Sequence, residues 1–346
     1  MRLRLFLCAL GALISLVAVP VAGASSVVTT FTATGLKLTI TKDDDAILSY
    51  HSEGKDVHVL AWGAVNALAP TPGGKQVDFR YDYSGGYSKY YTEDPDAKAA
   101  LKKLTDLQAQ FKRATTNAER WKLGPEIAAA RAANDKLRLA ATNYWQTGTC
   151  EKYDGPPLAW MVAACKGPDG SYWAVQSWQR KLPDYGLAPN TEESQWEVHL
   201  SHWTGPLPVL TISTDWAWHQ WDHLYGTFTY DGKPVYGFKA TPAGQPLDTF
   251  GRNVYVDTLD SAYGSGWKRE NSFLTHSGDG VFCYSVNPHG SHPSGKGTQY
   301  RATILGPGVT PDVEWQGASP GTYDATADAA ANQLIAALGD KQCQPN

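Results

Sequence analysis

Two carboxylate-bearing segments offer this chain its best chance of acid/base chemistry. In Trp196 to Trp203 an extended backbone sends Trp196, Val198, Leu200 and His202 to one side and Glu197, His199, Ser201 and Trp203 to the other, because side chains alternate along a strand. Glu197 and His199 then share a face, an acid and a base within reach of each other. A second cluster contains Asp257, Asp260, Tyr263, Trp267, Lys268, Arg269 and Glu270. Glycoside hydrolysis needs two carboxyls about 5 to 9 Å apart across a sugar, so Glu197 with Glu270, or Asp257 from the same cluster, is the catalytic set the sequence offers. The chain carries no Gly-x-Ser-x-Gly elbow, phosphate loop or dinucleotide fingerprint.

Binding chemistry has a separate signal. Of 13 tryptophans, 10 fall between Trp145 and Trp267, and Trp216, Trp218 and Trp221 lie within six residues, beside His219, His223, Asp215 and Asp222. Flat aromatic faces flanked by planar polar groups suit a sugar ring, whose axial hydrogens pack on the ring while its hydroxyls seek partners. Five tyrosines from Tyr81 to Tyr91, among them Tyr87, surround Gly85 and Gly86, and each combines an apolar ring with a polar tip. His219 and His223 are four apart, and His289 and His292 three apart. Neither pair comes with the third and fourth ligands of a zinc motif, so no metal and no cofactor is expected.

The elements that must position these groups are mostly strands. A dozen short runs bounded by Gly, Pro, Asp and Asn predict an antiparallel β-sandwich or jelly-roll body, with tight turns at Asp169-Gly170 and Asp231-Gly232. Residues 95 to 142 differ, with 13 alanines in 48 positions. Pro95 opens a first helix, whose apolar face reads Ala97, Leu101, Leu104, Gln108 and Phe111. Thr116 with Glu119 forms a capping box for a second, which Gly124-Pro125 is expected to break or kink before Ile127, Ala130, Asn134, Leu137 and Ala141 continue one side. A helical hairpin is thus inserted between 25–94 and 143–346, with a further boundary near 145 left open. A last helix is expected from about Asp324 to Leu338.

Residues 1 to 24 have the layout of a secretory signal: Arg2 and Arg4, an apolar run from Leu5 to Val19, and small residues at Ala22 to Ala24. Export, extracellular or periplasmic, follows as the expectation, with cleavage near Ala24. Cys8 then leaves, and Cys150, Cys165, Cys283 and Cys343 remain as an even set, predicted to pair as Cys150 with Cys165 and Cys283 with Cys343. Beyond the signal no run approaches the ~18 apolar residues of a membrane span. Without Arg2 and Arg4, 28 basic residues face 34 acidic ones, a net charge of about −6 that argues against nucleic acid as a partner. The hairpin holds 10 of those basic residues against 5 acidic, so it is basic on an acidic body. The function expected is binding of a glycan, such as a cell-wall polysaccharide, or another polar polymer through an aromatic surface. A glycan-active hydrolase or lyase, and an interaction protein that uses the basic hairpin, are the competing readings.

Overall fold

The computed structural model describes residues 26–29, 33–68, 76–179, 196–217, 221–235, 239–240, 246–247, 254–261, 264–270, 272–277, 281–286, 298–319 and 326. Within these, the side chains of 26–27, 29, 215–217, 221–223, 239–240, 246–247, 272–277 and 281–286 lie outside the description. The signal segment, Trp218, His219, Tyr263, His289, His292, Cys343 and the expected C-terminal helix (apart from Thr326) fall outside the described residues.

The chain is mainly β, in antiparallel sheets. Strands β1 (Ser26–Thr29), β2 (Thr34–Ile40), β3 (Ala46–Ser52), β4 (Lys55–Trp62) and β5 (Arg80–Asp82) precede two helices, α1 (Pro95–Arg113) and α2 (Asn117–Thr142). Next come β6 (Glu151–Lys152), β7 (Met161–Lys166), β8 (Tyr172–Gln179), β9 (Trp196–Trp203), β10 (Val209–Ala217), β11 (Trp221–Tyr230) and β12 (Lys233–Pro234). The C-terminal part adds β13 (Lys239–Ala240), β14 (Pro246–Leu247), β15 (Val254–Leu259), β16 (Trp267–Arg269), β17 (Ser272–Ser277), β18 (Val281–Val286), β19 (Gln299–Ile304) and β20 (Val313–Ala318).

Among the described residues the strands form four larger sheets, ordered β1-β9-β8-β7-β6, β2-β3-β4-β5, β10-β11-β18-β17 and β16-β15-β19-β20. Buried side chains gather into two main clusters. One joins the first two sheets through Leu38, Ile40, Leu48 and Val59 against Trp173, Val175, Val198 and Leu200. The other joins the last two through Leu224, Phe228 and Tyr230 against Val254, Val256, Tyr300 and Ile304. Residues on either side of 145 share the first of these units, because β1 pairs with β9 and Ile40 bridges Thr149. Cys150 is joined to Cys165 by a disulfide, which ties the edge of β6 to β7. The predicted Asp-Gly turns are present: β7 and β8 pair across Gly170, and Asp231 with Gly232 at φ 50° and 68° takes the two left-handed positions that a type I′ turn between β11 and β12 demands.

The hairpin forms as two helices that pack on each other through their own cluster of Leu104, Leu107 and Ala130. Asp94 caps α1, accepting from Ala97 N–H, and the Thr116/Glu119 capping box starts α2. Two details differ from expectation. The buried face of α1 is Ala97, Leu104 and Leu107, while Leu101 and Phe111 are exposed, because a two-helix contact needs only a narrow seam. Gly124-Pro125 does not end α2, which runs unbroken to Thr142. Pro125 sits on an exposed turn, where the carbonyl that loses its donor can be hydrated.

Candidate functional site

Strand β9 is the element around which the chemistry is arranged. Val198 and Leu200 enter the first core, so alternation turns Glu197, His199 and Ser201 toward the other face of the sheet. There they meet the segment between β19 and β20. His199 Nδ1 lies 2.6 Å from Asp312 Oδ2 and its Nε2 lies 3.2 Å from Glu197 Oε2. The same Asp312 carboxylate accepts from Trp178 Nε1 at 2.8 Å and from Gly306 N–H at 3.0 Å. Burial works against a charged imidazole, but Asp312 and Glu197 on its two sides outweigh it and hold His199 above the ordinary histidine range. His199 and the Asp312 side chain are fully enclosed. The arrangement can hold a proton among three groups, sealed from water.

Trp178 links this triad to the second cluster of the sequence. Its ring meets His199 and Tyr255 edge-on, each with centroids 5.1 Å apart, and Arg269 packs against both Trp178 and Tyr255. Arg269 Nε donates to Asp257 Oδ1 at 2.6 Å, and Arg301 Nη2 donates to Asp257 Oδ2 at 2.8 Å. β16, β15 and β19 are adjacent, and the register sets Asp257 opposite both Arg269 and Arg301. Asp257 is therefore a buried clamp between two guanidiniums. Glu270 is also buried, its N–H bonded to the Val256 carbonyl. Glu197 and His199 thus lie beside the seam where Trp178 of β8 meets β15 and β16, and Asp257 and Glu270 lie on its other side, with Asp312 and Gln176 as members that the sequence reading missed. Asp312 lies 113 positions from His199, a separation no local spacing reports.

Above the buried charges the seam reaches the surface through aromatic rings. The Arg301 guanidinium lies 4.1 Å from the Trp160 ring and 4.6 Å from the Trp267 ring, a stack of Trp, Arg and Trp. Trp196, 49% exposed, meets Trp160 edge-on at 6.0 Å. Trp160 has φ 56°, a left-handed conformation that costs a bulky residue on the order of 1–3 kcal/mol. Its carbonyl accepting from Ser177 N–H and its Nε1 donating to Thr303 Oγ1 hold it there.

The other residues singled out by the sequence lie elsewhere. In the β10–β11 hairpin the backbone register sets Trp216 opposite Asp222, Ala217 opposite Trp221 and Asp215 opposite His223. Tyr87 packs against Tyr91 at 5.2 Å beside the base of the helical hairpin. Tyr91 there donates to Asn134 of α2, and Tyr90 donates to Asp45. An open cavity of about 320 Å³ lies at the β11–β12 turn, lined by Asn66, Thr204, Tyr230, Asp231 and Lys233 among others.

One further set of side chains has the chemistry of a metal ligand group: Asp44 in the β2–β3 turn, Asp169 in the β7–β8 turn and His202 near the end of β9. Their ligand atoms all lie within 4.8 Å of one another. Burial pushes the Asp169 carboxyl upward, yet hydrogen bonds from Ser171, the nearby His202 and a contact to Asp44 leave it below the ordinary aspartate range.

No model of a known protein family matches the chain, and neither the curated proteins nor the solved structures yield a match. Among the described residues no helix is long and apolar enough to cross a membrane.

Proposed function

We propose that the protein is an exported glycan-binding protein, built as two β-sandwiches, and that Trp196, Trp160 and Trp267 with Arg301 form one contact surface. The observation that carries this reading is the stack of Trp160, Arg301 and Trp267 beside a half-exposed Trp196. Indole faces accept the axial C–H face of a sugar, while a guanidinium offers N–H donors in a fixed plane to hydroxyl or carboxylate oxygens. Asp257 pins Arg301 from below, so little side-chain freedom remains to be lost on binding. The aromatic run of Trp216, Trp218 and Trp221 with His219 and His223 is proposed as an extension of the same activity. The basic hairpin is proposed as a second contact for anionic cell-wall polymers.

The buried state of Glu197, His199 and Asp257 supports binding over hydrolysis, since a general acid must reach the glycosidic oxygen to within hydrogen-bond distance. The test is Trp196→Ala, assayed for retention on an insoluble-polysaccharide panel and for melting temperature. Because the ring is half-exposed, the variant should keep its melting temperature within a few degrees and lose retention at least about 10-fold. Unchanged retention on every polysaccharide that holds the wild type would overturn the assignment of this surface.

A further inference from the structure

We propose that Asp44, Asp169 and His202 form a binding site for a divalent transition-metal ion of the zinc class, separate from the aromatic seam. His202 lies on the face of β9 opposite His199 and is buried, stacked on Trp173 with ring centroids 3.7 Å apart. Its Nδ1 is 2.6 Å from the Ala64 carbonyl oxygen. A carbonyl can only accept, so Nδ1–H donates to it and fixes the ring with Nε2 facing the carboxylates, the hydrogen bond from behind that orients a metal-binding imidazole.

That Nε2 looks into a ring of oxygens. Asp44 Oδ2 lies 3.2 Å away and Ser171 Oγ 2.7 Å away. Zinc bonds of about 2.0 Å in a tetrahedron place ligand atoms roughly 3.3 Å apart, close to the spacing between His202 and Asp44. The other carboxylate oxygens are held from outside: Trp173 Nε1 is 3.4 Å from Asp44 Oδ1, and Ser171 N–H donates to Asp169 Oδ1 at 2.8 Å. Gly167 completes the close approach. A Cβ there would stand 2.5 Å from Asp44 Oδ1, 2.8 Å from Ser171 Oγ and 3.1 Å from Asp169 Oδ1, so only glycine lets the turn bring these oxygens in.

The ligand chemistry selects the ion. One imidazole nitrogen with two carboxylates suits zinc or a neighbouring first-row metal, whereas calcium takes six to eight oxygens. Asp169 is exposed, so an ion has a path from solvent and room for a water as an additional ligand.

The experiment uses the full untagged chain, stripped with a chelator and titrated with Zn²⁺, Mn²⁺ or Ca²⁺ by calorimetry and by thermal shift. Zn²⁺ should bind with the highest affinity of the three and raise the melting temperature. Asp169→Asn, an exposed and nearly isosteric change, should fold as the wild type does and weaken zinc binding at least 10-fold. His202→Gln should abolish the thermal shift. If Asp169→Asn folds and keeps the wild-type zinc affinity, or if the wild type takes no Zn²⁺ at micromolar concentration, the site is not a metal site. Binding of Ca²⁺ in preference to Zn²⁺ would overturn the assignment of class. None of these outcomes depends on polysaccharide retention, so the two proposals fail independently.

Discussion

His199 is a buried imidazole between two carboxylates, and its stability contribution has a definite sign. Its folded-state pKa is raised above the ordinary value of about 6.5. The native state therefore binds this proton more tightly than the unfolded state does, so the stabilisation is fully present below about pH 6.5 and is lost as the pH climbs through the raised value. Denaturant midpoints measured from about pH 6 to pH 9 should fall for the wild type, and the His199→Gln variant, although less stable overall, should lose that part of the slope. Matching slopes for the two proteins would mean that His199 stays neutral. Asp312→Asn removes one partner of a buried pair and should cost about 3–5 kcal/mol, read from the same curves. Alternation along β9 made the partnership of Glu197 with His199 legible. Nothing local pointed to Asp312, since a lone aspartate between Pro311 and Val313 has no pattern to distinguish it.

At the scale of elements, local signals were readable wherever local physics decides. Pro95 opens α1, the capping box of Thr116 and Glu119 acts within the first turn of α2, and β9 has the bounds that its sequence run implies, whereas the Asp94 cap of α1 was not read. Strand β3 carries no such local signal. Ala46, Ile47 and Leu48 are all fully buried, so a central strand covered on both faces shows no alternation. Short partners such as β6, β12 and β16 have two or three residues each and exist because a neighbour pairs with them. The hairpin of α1 and α2 keeps its cluster to itself, while its base is held by the contact of Tyr91 with Asn134. Excising 96–141 with a short Gly/Ser bridge should therefore leave a folded β body, with near-ultraviolet circular dichroism retained and helical signal lost. Aggregation or loss of the near-ultraviolet signal would place the hairpin in the core. Within the intact hairpin, Thr116→Ala should cost about 1 kcal/mol, since it removes the acceptor for Glu119 N–H.

Across the whole molecule, two cores of different sheets are joined by a small apolar cluster of Trp178, Tyr255 and Leu305, by Val309 reaching into the first core, and by a set of buried polar groups. Gln176 of β8 is central among them. Its Oε1 accepts from Asp312 N–H at 2.8 Å, and its Nε2 donates to the Asp312 carbonyl at 2.9 Å and the Ala159 carbonyl at 2.8 Å. The amide thus pairs with main chain as a strand neighbour would, and it is fully buried. Each core has its own apolar cluster, so either could in principle unfold alone, and what makes them unfold together is the free energy of this seam. Gln176→Ala would leave three main-chain polar groups buried without their partner, at about 1–3 kcal/mol for each that water cannot reach. Such a loss is large against the total stability of a domain of roughly 5–15 kcal/mol, yet it falls on the seam and not on either core. Calorimetry of the wild type should give one transition whose van't Hoff and calorimetric enthalpies agree. The variant should show two, or a van't Hoff enthalpy well below the calorimetric one. A variant that melts lower but still in one step, with the enthalpies equal, would mean that the coupling runs instead through the aromatic packing of Trp178 on Tyr255.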